Sequence, residues 1–243
     1  MATGRIIKLR TAEPKRLVLP RIGSVKIGMK NAKGYPQSVD YFIPQGKYAG
    51  LFTEAYGERP QTIQIVFPAD DPGLVCSERY EYRDDSGALI AFGDGVSFSV
   101  WDGKKYETLL IDDYPNLMDS VAHRYPNRQA RSGGDGWAVT LTLTFIAPLV
   151  RGVAGVWTFS TKGSASTIPT VRNTFDAVKE QRGFCKGIIF DLDVKFAKSQ
   201  KPNAMSRYPV VTLVPNESPQ NITKVKNALD GENTAQKVLQ LQK

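Results

Sequence analysis

Trp137-Ala138-Val139-Thr140-Leu141-Thr142-Leu143-Thr144-Phe145 reads as one strand with two unlike faces. Trp137, Val139, Leu141, Leu143 and Phe145 point one way and the threonines the other, the alternation of a half-buried antiparallel strand. Downstream, Val156-Trp157-Thr158-Phe159 is a second strand, and a small-residue linker at 163–167 leads to a helix that Asn173 or Thr174 caps and Gly183 closes. Phe190, Leu192, Val194 and Phe196 then alternate with Asp191, Asp193 and Lys195. Val210 to Val214 forms the last strand, and Ser218-Pro219 starts a terminal helix carrying Ile222, Val225 and Leu229.

Upstream, Tyr125 to Gly136 reads as a basic loop with Gly133-Gly134, preceded by a helix from Pro115 to about Arg124 that buries Leu117, Met118 and Val121. Turn chemistry at Asp85-Ser86-Gly87, Gly93-Asp94-Gly95 and Asp102-Gly103 divides a hairpin meander. Within it Val96, Phe98 and Val100 alternate with Ser97 and Ser99, so one face is wet. Earlier still, Val25 and Ile27 flank Lys26, and Val39 to Ile43 precedes Pro44. Tyr48, Leu51, Phe52 and Ala55 share one face of a helix from Lys47 to Tyr56 that Gly57 ends, and Ile63 to Phe67 is a buried strand. Trp101, Trp137 and Trp157 all fall in strand-like segments and are core candidates.

The predicted fold is α+β, a mostly antiparallel sheet with three to five short helices. Strand-helix-strand order occurs twice, at 39–67 and 156–196, which allows two similar lobes. The expected organisation is a basic arm at 1–17 (Arg5, Lys8, Arg10, Lys15, Arg16), an N-terminal lobe with the meander at 18–125, and the Gly-rich loop at 126–136. A C-terminal lobe at 137–229 and a tail at 230–243 complete it.

The chain has 243 residues and a net charge of +8, and its composition is that of an ordinary globular protein. The charge is segregated: residues 1–48 hold ten Lys/Arg against two Asp/Glu, residues 49–120 five against fourteen, and residues 121–215 thirteen against five. Basic surface attracts phosphate backbones, whereas an acidic face suits a protein partner. No apolar run approaches the roughly 20 residues of a membrane span and no apolar segment follows the basic start, so the expected compartment is the cytoplasm. The two cysteines, Cys76 and Cys185, have no cysteine or histidine at metal-ligand spacing and read as small buried hydrophobes.

Three landmarks stand in order along the second half: Gly155-Val156-Trp157, Thr174-Phe175-Asp176, and Arg207-Tyr208-Pro209-Val210-Val211. Gly23-Ser24-Val25-Lys26-Ile27-Gly28, Tyr35-Pro36 and Tyr56-Gly57 precede them. This pattern, over roughly residues 18 to 215, resembles the recombination directionality factor-like family of bacteriophages and mobile elements. The resemblance implies a non-enzymatic accessory protein that binds a large serine integrase and redirects it from integration to excision in a bacterial host. Some members carry a cysteine cluster in mid-chain; only Cys76 stands there in this sequence, so no metal role carries over.

Catalytic constellations find little material. His123 is the sole histidine, and phosphate-loop, dinucleotide and nucleophile-elbow motifs are missing, so no catalytic residue, metal or cofactor is expected. Asp70-Asp71, Asp84-Asp85 and Asp112-Asp113 are as well explained by turns. Asp191, Asp193 and Lys195 share one strand face and are similar to the acidic-x-Lys strand of metal-dependent nucleases, against which stands the ordinary solvated strand face. Nucleic-acid candidates are Arg124, Tyr125, Arg128 and Arg131 in the loop, and Lys195, Lys198, Lys201, Arg207 and Tyr208 near the last strands. Their guanidinium and ammonium groups would contact phosphates, with Tyr125 or Tyr208 stacking on an unpaired base. With ten tyrosines, these clusters also fit a single-stranded DNA-binding or annealing protein of phage replication. For the integrase reading, the meander at 78–110 or the exposed part of 155–215 is the expected contact region, with no single contact residue specified.

Overall fold

The structure, a computed structural model, describes residues 19–198 and 207–216. The basic arm, Lys201 and the helix expected from Ser218 lie outside the described residues. Eleven strands and five helices are described. Strands β1 (Arg21–Lys30) and β2 (Pro36–Gln45) lead through helix α1 (Ala49–Tyr56) to β3 (Thr62–Val66). After the one-turn α2 (Pro72–Val75) come the meander strands β4 (Cys76–Arg83), β5 (Leu89–Gly93), β6 (Ser97–Trp101) and β7 (Tyr106–Leu110). Helices α3 (Leu117–Arg124) and α4 (Arg128–Arg131) precede β8 (Trp137–Phe145) and β9 (Val156–Thr161). Helix α5 (Thr167–Arg182) leads to β10 (Ile189–Lys198) and β11 (Arg207–Pro215). The predicted α+β class with a mostly antiparallel sheet is what these strands form.

Eight strands build one sheet in the order β2-β1-β9-β8-β4-β5-β6-β7, and three build another in the order β11-β10-β3. Every strand pairing is antiparallel except β1 with β9. Neither sheet is confined to one half of the chain: β9 and β8 stand between β1 and β4, and β3 pairs with β10. Both strand-helix-strand units start in the large sheet, pass through a helix and end in the small one.

Strand alternation explains where the cores sit. Leu141, Leu143 and Phe145 of β8, Phe159 and Trp157 of β9 and Val25 of β1 meet Ile63, Ile65, Phe190, Leu192 and Leu213 of the small sheet, with Phe52 of α1 and Val171 and Phe175 of α5 in the same cluster. Phe67 sits between Phe175 and Phe190 with ring centroids 5.1 and 5.3 Å apart. Each such ring removed from water contributes roughly 1.5–3 kcal/mol. A second, smaller core lies under the meander, where Tyr82, Ala91, Phe98 and Trp137 pack against Leu117 and Val121 of α3.

Several boundaries differ from the sequence reading. Helix α5 starts at Thr167, well before Asn173 or Thr174. Pro169 fits its first turn because the missing N–H has no partner to lose there, and Ile168, Val171, Phe175 and Val178 form its buried stripe. Gly183 closes it as expected, at φ 80°. Helix α3 starts at Leu117 rather than Pro115, and Met118 is only partly buried. Helix α1 begins at Ala49, two residues after the expected start. The stretch expected as a loop from Tyr125 to Gly136 contains α4, whose N-cap Asn127 accepts a hydrogen bond from Ala130 N with its side chain. Trp101 is not a core residue: its register puts it on the Ser97 and Ser99 side of β6, half-buried.

Candidate interaction surface

Three aspartates of the acidic meander serve its turns. Asp84 accepts from Ser86 Oγ and Ala88 N, Asp94 from Val96 N and Ser97 N, and Asp102 from Lys104 N and Lys105 N. Hydrogen bonds from Ser86 and the turn amides hold Asp84 below the usual carboxylate range, and backbone amides do the same for Asp94 and Asp102. These carboxylates therefore stand at the ends of the strands, as a negative rim, and not on the strand faces.

The face of β4 to β7 turned away from α3 has a different character. Arg79, Glu81 and Arg83 point to it from β4, and Glu81 stands opposite Phe92 of β5. Glu81 is only 4% exposed, and its two oxygens are divided between two guanidiniums. Arg79 Nε and Nη2 donate to Oε1 at 2.9 and 2.6 Å; Arg83 Nε and Nη2 donate to Oε2 at 3.1 and 3.0 Å. Burial by itself would raise the Glu81 pKa, but the hydrogen bonds and charges of Arg79 and Arg83 outweigh it and hold the carboxyl below its ordinary value. Arg83 Nη1 also donates to the Gly87 carbonyl at 2.9 Å, and the Arg79 guanidinium lies 5.0 Å over the Phe92 ring.

Three aromatic rings continue the patch. Tyr106 packs against Phe92 at 5.5 Å and Trp101 at 5.3 Å, and its hydroxyl donates to the Leu89 carbonyl at 2.5 Å. Thr140 of β8 stands opposite Arg79, and its buried hydroxyl has no hydrogen-bond partner among the described residues. The patch thus pairs two partly exposed, pre-positioned guanidiniums with aromatic area on an open strand face.

The residues singled out in the sequence fall into two groups. Arg124 ends α3, lies 5.2 Å over the Tyr125 ring and donates to the Asp102 carbonyl at 3.1 Å. Tyr125 is tied down by its hydroxyl to the Trp101 carbonyl at 3.2 Å, and its own carbonyl accepts from Tyr82. Asp85 accepts from Arg128 N at 2.7 Å and from Arg131 Nη2, while Arg131 Nη1 donates to the Pro126 carbonyl at 2.6 Å. This segment is knitted to the meander by these bonds.

The second group sits at one end of the small sheet. Lys198 and Arg207 stand opposite one another, both exposed, while Lys195 and Tyr208 lie on the other face of the same ribbon. Asp193 accepts from Thr62 Oγ1, and Asp191 from Asn216 Nδ2 at 2.9 Å. Among the described residues no three His, Cys, Asp or Glu side chains come together to hold a metal ion. Cys76 and Cys185 are both buried and both free. No described helix is long and apolar enough to cross a membrane. Sequence reasoning named the meander at 78–110 as a contact region without specifying the residues of this patch, although Arg79-x-Glu81-x-Arg83 in a strand places all three side chains on one face.

A family model described as Gp3-like, recombination directionality factor-like, matches residues 22–216. The chain belongs to this family. The match runs from the first strand of the large sheet to the end of the last strand of the small one, so both sheets and both cores are family structure. No curated protein and no solved structure matches the chain.

Proposed function

We propose that this protein is a non-enzymatic accessory factor of mobile-element recombination that binds a large serine integrase and favours excision. The observation that carries the reading is the family match across 22–216. Mechanically, the factor binds one conformation of the integrase–DNA complex more tightly than the other and thereby makes the excisive synapse accessible. A tenfold change in product ratio requires only about 1.4 kcal/mol of differential binding, which one modest interface supplies. The exposed pair Lys198 and Arg207 is the basic end that contacts the DNA backbone in that complex, with Lys195 on the other face of the ribbon.

The test is a pair of plasmid recombination reactions with the integrase of the same element. Adding the factor should raise excision and suppress integration. Equal yields of both reactions with and without it would remove the reading. A fluorescent single-stranded oligonucleotide titrated in the absence of integrase checks the annealing alternative: tight binding that weakens steeply with salt would support that role instead.

A further inference from the structure

We propose that the open face of the β4–β7 meander docks an acidic segment of the partner protein. A partner carboxylate would meet the guanidiniums of Arg79 and Arg83, and Phe92, Trp101 and Tyr106 would supply the apolar contact. The inference rests on the integrase-accessory reading and specifies which surface carries it.

Charge decides the sign of the occupant. One buried carboxylate, Glu81, serves two arginines, which leaves one positive charge uncompensated on this face. Arg79 Nη1 makes no hydrogen bond within the described residues, and Thr140, whose buried hydroxyl has no partner among them, stands opposite Arg79 in the strand register. Both arginines are held by Glu81 before any partner arrives, so docking would cost little side-chain entropy. Arginine, tryptophan and tyrosine are also the residue types that carry most binding energy at protein interfaces.

Geometry decides between a protein and a nucleic acid. A phosphate chain crossing the patch would run into Asp84 and Asp102 at one end of the strands and Asp94 at the other, and would be repelled. The rings meet at steep angles, 65° for Phe92 with Tyr106 and 59° for Trp101 with Tyr106, and Arg79 already covers one face of Phe92. Because the rings are not parallel to one another, they form no stacked platform for successive bases. A protein segment can set one carboxylate on the two guanidiniums and stay neutral where it nears the rim, which a phosphate chain cannot do.

Two variants test the proposal. Arg79→Ala with Arg83→Ala removes the donors, and Thr108→Glu places a carboxylate at an exposed position on β7, directly opposite Ser99 of the same face. Full-length proteins would be checked for wild-type melting and then titrated against the integrase and, separately, against a fluorescein-labelled oligothymidylate at low salt. The expected result is at least a tenfold loss of integrase affinity in each variant. Wild-type integrase affinity in Thr108→Glu and the arginine variant alike would overturn the proposal. Oligothymidylate binding by the wild type that both variants abolish, with integrase affinity intact, would assign the patch to nucleic acid and overturn it as well. A wild-type protein that does not bind integrase at all would sink the functional reading itself, and the docking proposal with it.

Discussion

Gly23 of β1 lies against the indole of Trp157 in β9, its partner in the parallel pairing. A methyl group on Gly23 would collide with Trp157 Cζ3, reach 2.6 Å from Cε3 and stand 2.9 Å from the Gln45 carbonyl oxygen. The same crossing is tight from the other side, where a methyl on Gly155 would run into Ile22 and come 2.6 Å from the Pro20 carbonyl oxygen. The two glycine motifs that stand far apart in the sequence are therefore the two halves of one contact. Only a residue without Cβ lets the strands approach at this point.

Gly23→Ala should destabilise the fold by roughly 1–3 kcal/mol, the usual cost of forcing extra volume into a packed site. Trp157→Ala should cost about 3–5 kcal/mol, because the indole is 1% exposed and packs on Phe52 at 4.8 Å. The two effects should not add: with the indole gone, only the Gln45 carbonyl oxygen still crowds the methyl at residue 23, and the double variant should lose less than the sum of the two single variants. Urea denaturation of the four proteins measures this. Strict additivity would refute the contact as the cause.

Glu81 makes stability depend on pH in one direction. Its folded pKa lies below the ordinary value, so the stabilisation is fully present above the unfolded carboxylate pKa of about 4.3. As pH falls below that value the unfolded state binds the proton first, and the contribution is lost progressively until the folded group also protonates. Glu81→Gln should flatten this part of the acid limb and loosen both guanidiniums. Thermal melts between neutral and acid pH check it; an unchanged acid limb in the variant would refute it.

Much of this architecture is legible in the sequence, for identifiable reasons. The β8 alternation survives in the structure because Leu141, Leu143 and Phe145 all face the core that joins the two sheets. Trp101 was open to a better reading: it follows the parity of Ser97 and Ser99, so the wet face that those serines define includes it. The charge total of the meander misleads because turn aspartates and strand arginines are summed together, although the strands separate them in space. The early turns of α5 hide in a Ser/Thr/Pro-rich stretch that reads as linker, and only burial of Ile168 and Val171 against the sheets decides for helix. The Gly23–Trp157 contact depends on a parallel pairing between distant segments, which no local pattern encodes.

Both cysteines should be silent in the native protein. Burial pushes the Cys76 thiol up to about 12 and the Cys185 thiol up to about 11, so neither forms thiolate near neutral pH. A thiol-disulfide reagent at mildly alkaline pH should find no fast thiol in the folded chain and two after denaturation. The same shifts carry a stability sign: above the ordinary thiol pKa of about 8.5 the unfolded chain ionises and the folded one does not, so stability declines as pH rises toward the folded values. Rapid labelling of either thiol in the native state would refute the burial.

Asp85 holds the α4 segment to the meander, and its removal should show as local opening and not as global unfolding. The Arg131 side chain, followed by the Arg128 amide, holds Asp85 below the ordinary carboxylate range, so the tie is intact at neutral pH. Asp85→Ala leaves Asn127 bonded to the Arg83 and Gly136 carbonyls at 2.8 and 3.1 Å, so the segment keeps one anchor while α4 loses its other. Trypsin cleaves after Arg128 and Arg131, both exposed, only when the backbone there can open. Cleavage at these two sites should accelerate several-fold in Asp85→Ala, with little change in the melting midpoint. Asp113→Ala, at an exposed position outside α4, serves as control and should leave the cleavage rate unchanged. Equal cleavage rates in wild type and Asp85→Ala would mean that Asn127 alone fixes the segment.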